Sequence, residues 1–252
     1  YRRQRQMCIR DSPDSPVTTA LVSGEYPFLP HALNAIGIKT ILTNRESRLP
    51  VPVSWHPDMQ VCMVAPDLLF TLSGSTLGKS IQKETGLRTK ETEKTPFVSY
   101  PQDVLCNALI LGNCLIANPN TVDPRILTWA KKQEISIIPV RQGYTACAVC
   151  IVNKNAVITA DRGISIVLEK LGVDVLCIRS GFIRLPGYDT GLLGGCCGHL
   201  SRDCIAFTGQ LSSHPDCESI RGFLRNYSIS ILELFPGELM DVGGILPLLQ
   251  ME

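Results

Sequence analysis

Along most of the chain, short apolar runs come in pairs, and each pair leads into a polar joint and a helix-period stretch. Three segments share this plan. They are YPQDVLCNALILGNCLIANPNTVDPRILTWAKKQEISIIPV, GYTACAVCIVNKNAVITADRGISIVLEKLGVDVLCI and GLLGGCCGHLSRDCIAFTGQLSSHPDCESIRGFLRNYSISILEL. Each reads as strand, turn, second strand (CLIAN, AVITA, CIAFTG), helix and closing strand. The joints Asn120 to Pro124, Asp161, and Ser213 to Asp216 carry helix-start chemistry, since Asp or Ser caps a helix and Pro is tolerated in its first turn. Ile126, Trp129 and Ala130 fall on one helical face, as do Ile164, Val167, Leu168 and Leu171.

Two partial units flank these three. HPDMQVCMVAPDLLFTL supplies a strand pair, after which Leu72 to Tyr100 is polar, with Lys and Glu nearly alternating in GLRTKETEKTPF. That stretch is expected to be a solvated loop or a lid. LMDVGGILPLL supplies one strand near the C-terminus, and TTALVSGEYPFLPHALNAIGIKTILT supplies strand, helix and strand near the N-terminus. Joined, the two ends make a fifth unit. Asp58, Asp103, Cys147, Cys196 and Gly243 are spaced by 45, 44, 49 and 47 residues, an interval that marks a repeat. The pattern predicts an α/β fold of ββαβ units with five-fold pseudosymmetry, closed by its N- and C-terminal pieces.

The first twelve residues fit no unit. YRRQRQMCIRDS back-translates readily into a transposase adapter used for sequencing libraries, so residues 1–12 are expected to be a translated artefact and residues 13–252 one domain. The charge argument changes with them. The whole chain carries net charge +1, whereas residues 13–252 hold 20 basic and 22 acidic residues, net −2. The basic arm vanishes, and a nucleic-acid partner is not expected. No apolar run approaches the roughly 18 residues that span a bilayer, so no membrane partner is expected. The ten remaining cysteines sit mostly inside apolar runs such as VLCNALI and CAVCIV, which suits reduced buried thiols and a cytoplasmic location.

Five ββαβ units closed by the termini resemble the pentein fold, the α/β propeller of arginine deiminase, dimethylarginine hydrolase and the amidinotransferases. LLGGCCG with IAFTG and a helix is similar to the EGGD-strand-helix unit of the deiminases, and HPDMQV to their HLD segment. The runs HPDM, YPxDV, QGYxxC and LPGYD are similar to a bacterial branch for which the superfamily implies a fold and not an activity. The resemblance implies that the first strand of each unit points toward a central pore, with functional residues near the strand starts.

Chemistry at a guanidinium carbon needs a thiolate, a proton carrier for the leaving amine, and carboxylates that hold a planar cation by paired hydrogen bonds. Cys147 is the expected nucleophile and His56 the acid/base. Asp58, Asp103, Asn107, Tyr144, Tyr188 and Asp241 are expected to bind substrate, a small cationic guanidino-type molecule. Neither a metal nor an organic cofactor is expected. ACAVCIV reads as a strand start, with Cys147 and Cys150 on opposite faces and Cys150 in the core. Cys196 and Cys197 read as structural thiols, and His214 and Asp216 as a helix N-cap. The chain departs from the deiminases in two places. Where their cysteine precedes a run like MSMPL, GGILPL puts glycine, and where their EGGD has acids, LGGC has leucine and cysteine. Two functions therefore stand: a cysteine-dependent hydrolase or amidinotransferase acting on a guanidino or amidine C–N bond, and a non-catalytic pentein used for binding or assembly.

Overall fold

Five three-stranded sheets of one pattern make up the protein. The structure, a computed structural model, describes residues 13–251. The expectation for residues 1–12 lies outside the described residues. In chain order the elements begin with β1 (Val17–Val22), α1 (Phe28–Ala35) and β2 (Lys39–Leu42). The second unit holds α2 (Pro57–Gln60), β3 (Val61–Ala65), β4 (Leu68–Thr71), α3 (Leu77–Thr85) and β5 (Arg88–Glu91). The third holds β6 (Leu109–Leu111), β7 (Cys114–Ala117), α4 (Pro124–Lys132) and β8 (Ser136–Pro139). The fourth holds α5 (Thr145–Ala148), β9 (Val149–Asn153), β10 (Ala156–Thr159), α6 (Arg162–Lys170) and β11 (Asp174–Cys177). The fifth holds β12 (Cys197–Ser201), β13 (Cys204–Phe207), α7 (Cys217–Asn226) and β14 (Ser230–Glu233), and β15 (Leu246–Gln250) closes the chain.

In every sheet the middle strand pairs antiparallel with one neighbour and parallel with the other. The helix after the middle strand makes the crossover that a parallel neighbour requires. The sheet of β15, β1 and β2 joins the two ends of the chain, with Val17 opposite Gln250 and Leu21 opposite Leu246. Four hairpins repeat a detail that the apolar pattern does not carry. The carbonyls of Asp67, Asn113, Asn155 and Asp203, each at a tight turn, accept from the first amide of the third strand: Arg88, Ser136, Asp174 and Ser230, at 2.7–3.1 Å. One turn residue thus closes the hairpin and sets the register of the crossover strand.

Burial follows the layering. β4 and β10 are buried at every position and the third strands are largely exposed, as expected when a central strand is covered on both faces and an edge strand is not. Ile126 and Ala130 turn α4 inward, and Ile164 and Leu168 turn α6 inward. Leu171 departs from the expected face: α6 ends at Lys170, and Leu171 lies 46% exposed beyond it. The Asp123 and Asp161 carboxylates accept from the amides of Arg125 and Ile164, both at 2.9 Å, and so cap α4 and α6.

Three expectations are corrected. Residues 72–100 are not one loop, because α3 and β5 interrupt them. Leu77 and Ile81 recur at helical spacing and bury one side of α3, and β5 adds a third strand whose polar side chains face water. The polarity reflects an exposed helix and edge strand. Asp216 stands at the N-cap of α7 without capping it, because its carboxylate binds the Arg179 amide at 2.7 Å and the Arg179 guanidinium at 2.6 and 2.9 Å. His214 meets the Arg179 carbonyl at 3.1 Å. Cys147 lies in the helical turn α5, and the strand begins at Val149.

The first strands of all five sheets line one cavity of about 150 Å³, with Met63, Leu109, Ile151, His199 and Pro247 on its wall and Asp58 at its edge. No described helix is long and apolar enough to cross a membrane. Phe207, wholly buried beneath α7, tests the core. Phe207→Ala is expected to cost about 3–5 kcal/mol in urea denaturation, against about 0.5 kcal/mol or less for the exposed Phe97→Ala.

Candidate active site

Each first strand is entered through a tight turn, and these turns carry the site. α2 leads into β3, residues 104–107 lead toward β6, α5 leads into β9, a 3₁₀ turn at Gly194–Cys196 leads into β12, and residues 241–244 lead toward β15. A compact turn before a strand delivers side chains to the strand's end, so five such turns bring residues far apart in sequence to one place.

Cys147 is 3% exposed and is gripped by Asn107. The Asn107 amide donates to the sulfur at 2.9 Å, while its carbonyl accepts from the amides of Ala146 at 2.7 Å and Cys147 at 3.4 Å. Asn107 also donates to the Asp58 main-chain carbonyl at 3.3 Å, tying α2 to α5. Both Asp58 carboxylate oxygens are sealed from water with no hydrogen bond of good geometry, although the Cys147 thiol and the Met59 amide stand near enough to draw the carboxyl down a little. Loss of solvent is the main force that pushes this carboxyl up to about 6, and Asp241 pushes the same way while His56 opposes. The Cys147 thiol is raised well above its ordinary value, first by burial and then by the charges of Asp58 and Asp241; the Asn107 donor works against them.

His56 is 1% exposed, and neither ring nitrogen has a hydrogen-bonding partner. Its Nδ1 lies 3.6 Å from Asp241 Oδ1. Asp241 is fixed by the amides of Leu192 at 2.8 Å and Gly243 at 3.1 Å. Asp103 forms a second acidic position. Its Oδ2 accepts from the Tyr144 hydroxyl at 2.6 Å, and its Oδ1 is buried without a partner. Tyr188 lies in electrostatic reach of Asp103, on the turn closed by the Tyr188 amide and the Leu185 carbonyl at 3.0 Å.

The expected residues thus fall into two adjoining groups. Cys147, Asn107, Asp58, His56 and Asp241 form one, and Asp103, Tyr144 and Tyr188 form the other. Cys150 lies with Cys196 and Cys197 in a separate apolar cluster, as the core reading of Cys150 requires. Cys196 donates to the Leu192 carbonyl at 3.3 Å.

Two glycines escaped the sequence reading as members of the site. A Cβ on Gly195 would stand 1.9 Å from Asp241 Oδ1. A Cβ on Gly243, where φ is +79°, would stand 2.4 Å from the His56 Cβ. His56 occupies the space at the turn where the deiminase resemblance would put a cysteine. The signal was the bare GG pairs themselves.

A family model matches residues 21–246. The chain belongs to the Family of unknown function (DUF6873). No curated protein matches the sequence significantly. Among solved structures, inosamine-phosphate amidinotransferase of Streptomyces griseus is similar at TM-score 0.61 and 10% identity, over 96% of this chain and 96% of that one. C. jejuni agmatine deiminase is similar at TM-score 0.53 and 12% identity, over 90% and 92%. DDAH from Pseudomonas aeruginosa, complexed with citrulline, is similar at 0.54 and 9%, over 91% and 96%. At such identities the likeness establishes the fold, which is that of the pentein guanidino-modifying enzymes.

Two outcomes follow from the packing. Gly195→Ala is expected to lower stability by about 1–3 kcal/mol, because a buried contact must be forced apart; a thermal melt measures it. Asp58→Asn should do the opposite at neutral pH. A carboxyl raised from 3.8 to about 6 loses stability as pH rises through that window, on the order of 2–3 kcal/mol. Urea titrations at pH 4 and pH 7 should therefore show the variant gaining stability only at the higher pH.

Proposed function

We propose that this protein is a cysteine-dependent hydrolase or amidinotransferase acting on a guanidino or amidine C–N bond of a small cationic molecule. One observation carries the reading. Among the described residues, the five buried side-chain polar atoms that lack a partner all belong to His56, Asp58 and Asp103. Buried carboxylates without donors are costly, and a cation with several N–H groups supplies the missing charge and donors together. The nearby thiol gives that cation something to react with.

In this reading Asp58 receives two N–H groups of the amidinium and turns its carbon toward Cys147. The ligand's positive charge offsets Asp58 and lowers the barrier to ionising the thiol. The thiol proton goes to His56, oriented by Asp241, and the thiolate adds to the carbon as the C=N π bond opens. His56 returns that proton to the leaving nitrogen, the C–N bond breaks, and an amine departs. The amidino carbon stays bonded to sulfur. Water, or an acceptor amine in a transferase, gives a proton to His56, attacks the same carbon and expels the thiolate. Return of that proton to sulfur restores the enzyme. Asn107 holds the sulfur in position.

The five sheets are proposed to close into an α/β propeller with this site at one mouth. The first strands sharing one cavity, and the pairing of the terminal strands, support that closure. Ten free cysteines among the described residues support work in a reducing compartment such as the cytoplasm. The alternative, a pentein that binds without reacting, draws on the buried and protonated resting thiol.

Labelling with a haloacetamidine, an electrophile shaped like the expected group, separates the two. One adduct is expected, on Cys147, slowed at least about tenfold in Asp58→Asn, where the charged hydrogen bonds are lost. Labelling spread over several cysteines and indifferent to Asp58 would leave the binding protein as the better account. The pH dependence is also fixed. Acetamidine binding to Cys147→Ala should be level above about pH 6 and weaken about tenfold per unit below it, because only ionised Asp58 pairs with the cation.

A further inference from the structure

Three threonines stand behind the site, each at the end of a strand: Thr43 follows β2, Thr159 ends β10 and Thr208 follows β13. All three are buried, at most 1% exposed. The Thr43 hydroxyl donates to the Trp55 carbonyl at 2.5 Å, and the Thr159 hydroxyl to the Ala148 carbonyl at 2.8 Å. Thr208 Oγ1 lies 2.5 Å from the Met240 carbonyl oxygen and 3.0 Å from that of Cys196, so its one proton is shared between them. The acceptors are not scattered. Trp55 precedes His56, Met240 precedes Asp241, and Ala148 follows Cys147. Two main-chain amides steady the hydroxyls in turn: Gly24 donates to Thr43 Oγ1 at 3.3 Å, and Asp161 to Thr159 Oγ1 at 3.1 Å.

We infer that Thr43, Thr159 and Thr208 are positioning residues that set His56, Cys147 and Asp241 against one another. A peptide unit is planar, so fixing its carbonyl and its amide fixes the direction of the chain at the residue it enters. The peptide that enters His56 is held at both ends, its carbonyl by Thr43 and its amide by the Val53 carbonyl at 3.1 Å. The peptide that enters Asp241 is held the same way, by Thr208 and by the Arg184 carbonyl at 2.9 Å. The 3.6 Å approach of imidazole to carboxylate is therefore set from two sides. Thr159 holds the peptide that leaves α5, while Asn107 holds the amides of Ala146 and Cys147 before it. The bonds of the three hydroxyls go to main-chain atoms, so they act on the site through its backbone and not by touching a ligand. The inference rests on the proposed function, in which proton transfer and thiol attack tolerate little misplacement.

The test is alkylation of Cys147 by chloroacetamidine in the full chain, with the maximal rate and the half-saturating concentration measured for each variant. Thr43→Val, Thr159→Val and Thr208→Val each remove a hydroxyl and keep the branched shape. Each is expected to lower the maximal rate at least about tenfold and to leave the half-saturating concentration within about twofold, because Asp58 still binds the amidinium. Thr43→Ser and Thr208→Ser keep the donor and should hold the rate within about threefold of wild type. Thr121→Val is the control. Thr121 is also buried and donates to the Asn118 carbonyl at 3.3 Å, so its loss should lower the melting temperature and leave labelling unchanged. Thr43→Val and the serine variants report even where Thr208→Val fails to fold. Wild-type rates in the valine variants, a change confined to the half-saturating concentration, valine-like rates in the serine variants, or an equal loss in Thr121→Val would overturn the positioning role while leaving the thiol chemistry standing. No labelling of Cys147 in the wild type would overturn the proposed function and this inference with it.

Discussion

The polar ends of Asp58, Asp241 and His56 are held together away from the surface, and much of the site's construction answers to that. A carboxylate taken out of water without donors is unfavourable, and two near one another are more so. Asp241 is made tolerable by two main-chain amides, from Leu192 and Gly243. Asp58 has weaker help, from the Met59 amide and the Cys147 thiol, and burial raises its proton affinity. The Cys147 thiol inherits the same field. A resting site so rich in negative charge suits a positively charged occupant, which relieves the carboxylates and favours the thiolate at once.

Holding such a site requires a scaffold stiff enough to resist relaxation. The apolar clusters beneath the five sheets provide it, with middle strands buried on both faces. The repeat does a second job. Because each unit enters its first strand through a short turn, one structural position occurs five times, and each copy carries a different residue. α2 brings His56 and Asp58, the next turn Asn107, α5 Cys147, and the last turn Asp241. The fifth unit brings Gly194 and Gly195, whose lack of a side chain lets Asp241 and the main chain of residues 146–149 approach. Gly243 is bare because His56 fills the place a side chain would take.

The repeat, the strand–helix order and the pairing of the chain ends were legible in the chain because they are local or periodic. Apolar runs of four or five residues, capping aspartates at 123 and 161, and a spacing of 44 to 49 residues do not depend on distant contacts. The second unit's helix was hidden because α3 buries only one narrow stripe, so most of its letters are those of a solvated segment. Asp216 reads as a cap until Arg179, 37 residues away, takes its carboxylate. Cys147 begins an apolar run, and only the folded turn shows it one step before the strand. The site's division of labour was decided by tertiary structure alone. Sequence spacing says that Asp241 and His56 exist; it does not say that 184 residues of intervening chain return them to within 3.6 Å. Nor does it say which carboxylate oxygens find donors. Burial and hydrogen bonding belong to three-dimensional neighbours, and those neighbours turn similar letters, Asp58, Asp103 and Asp241, into a buried acid of raised proton affinity, one held by a tyrosine hydroxyl, and one held by main-chain amides beside a histidine.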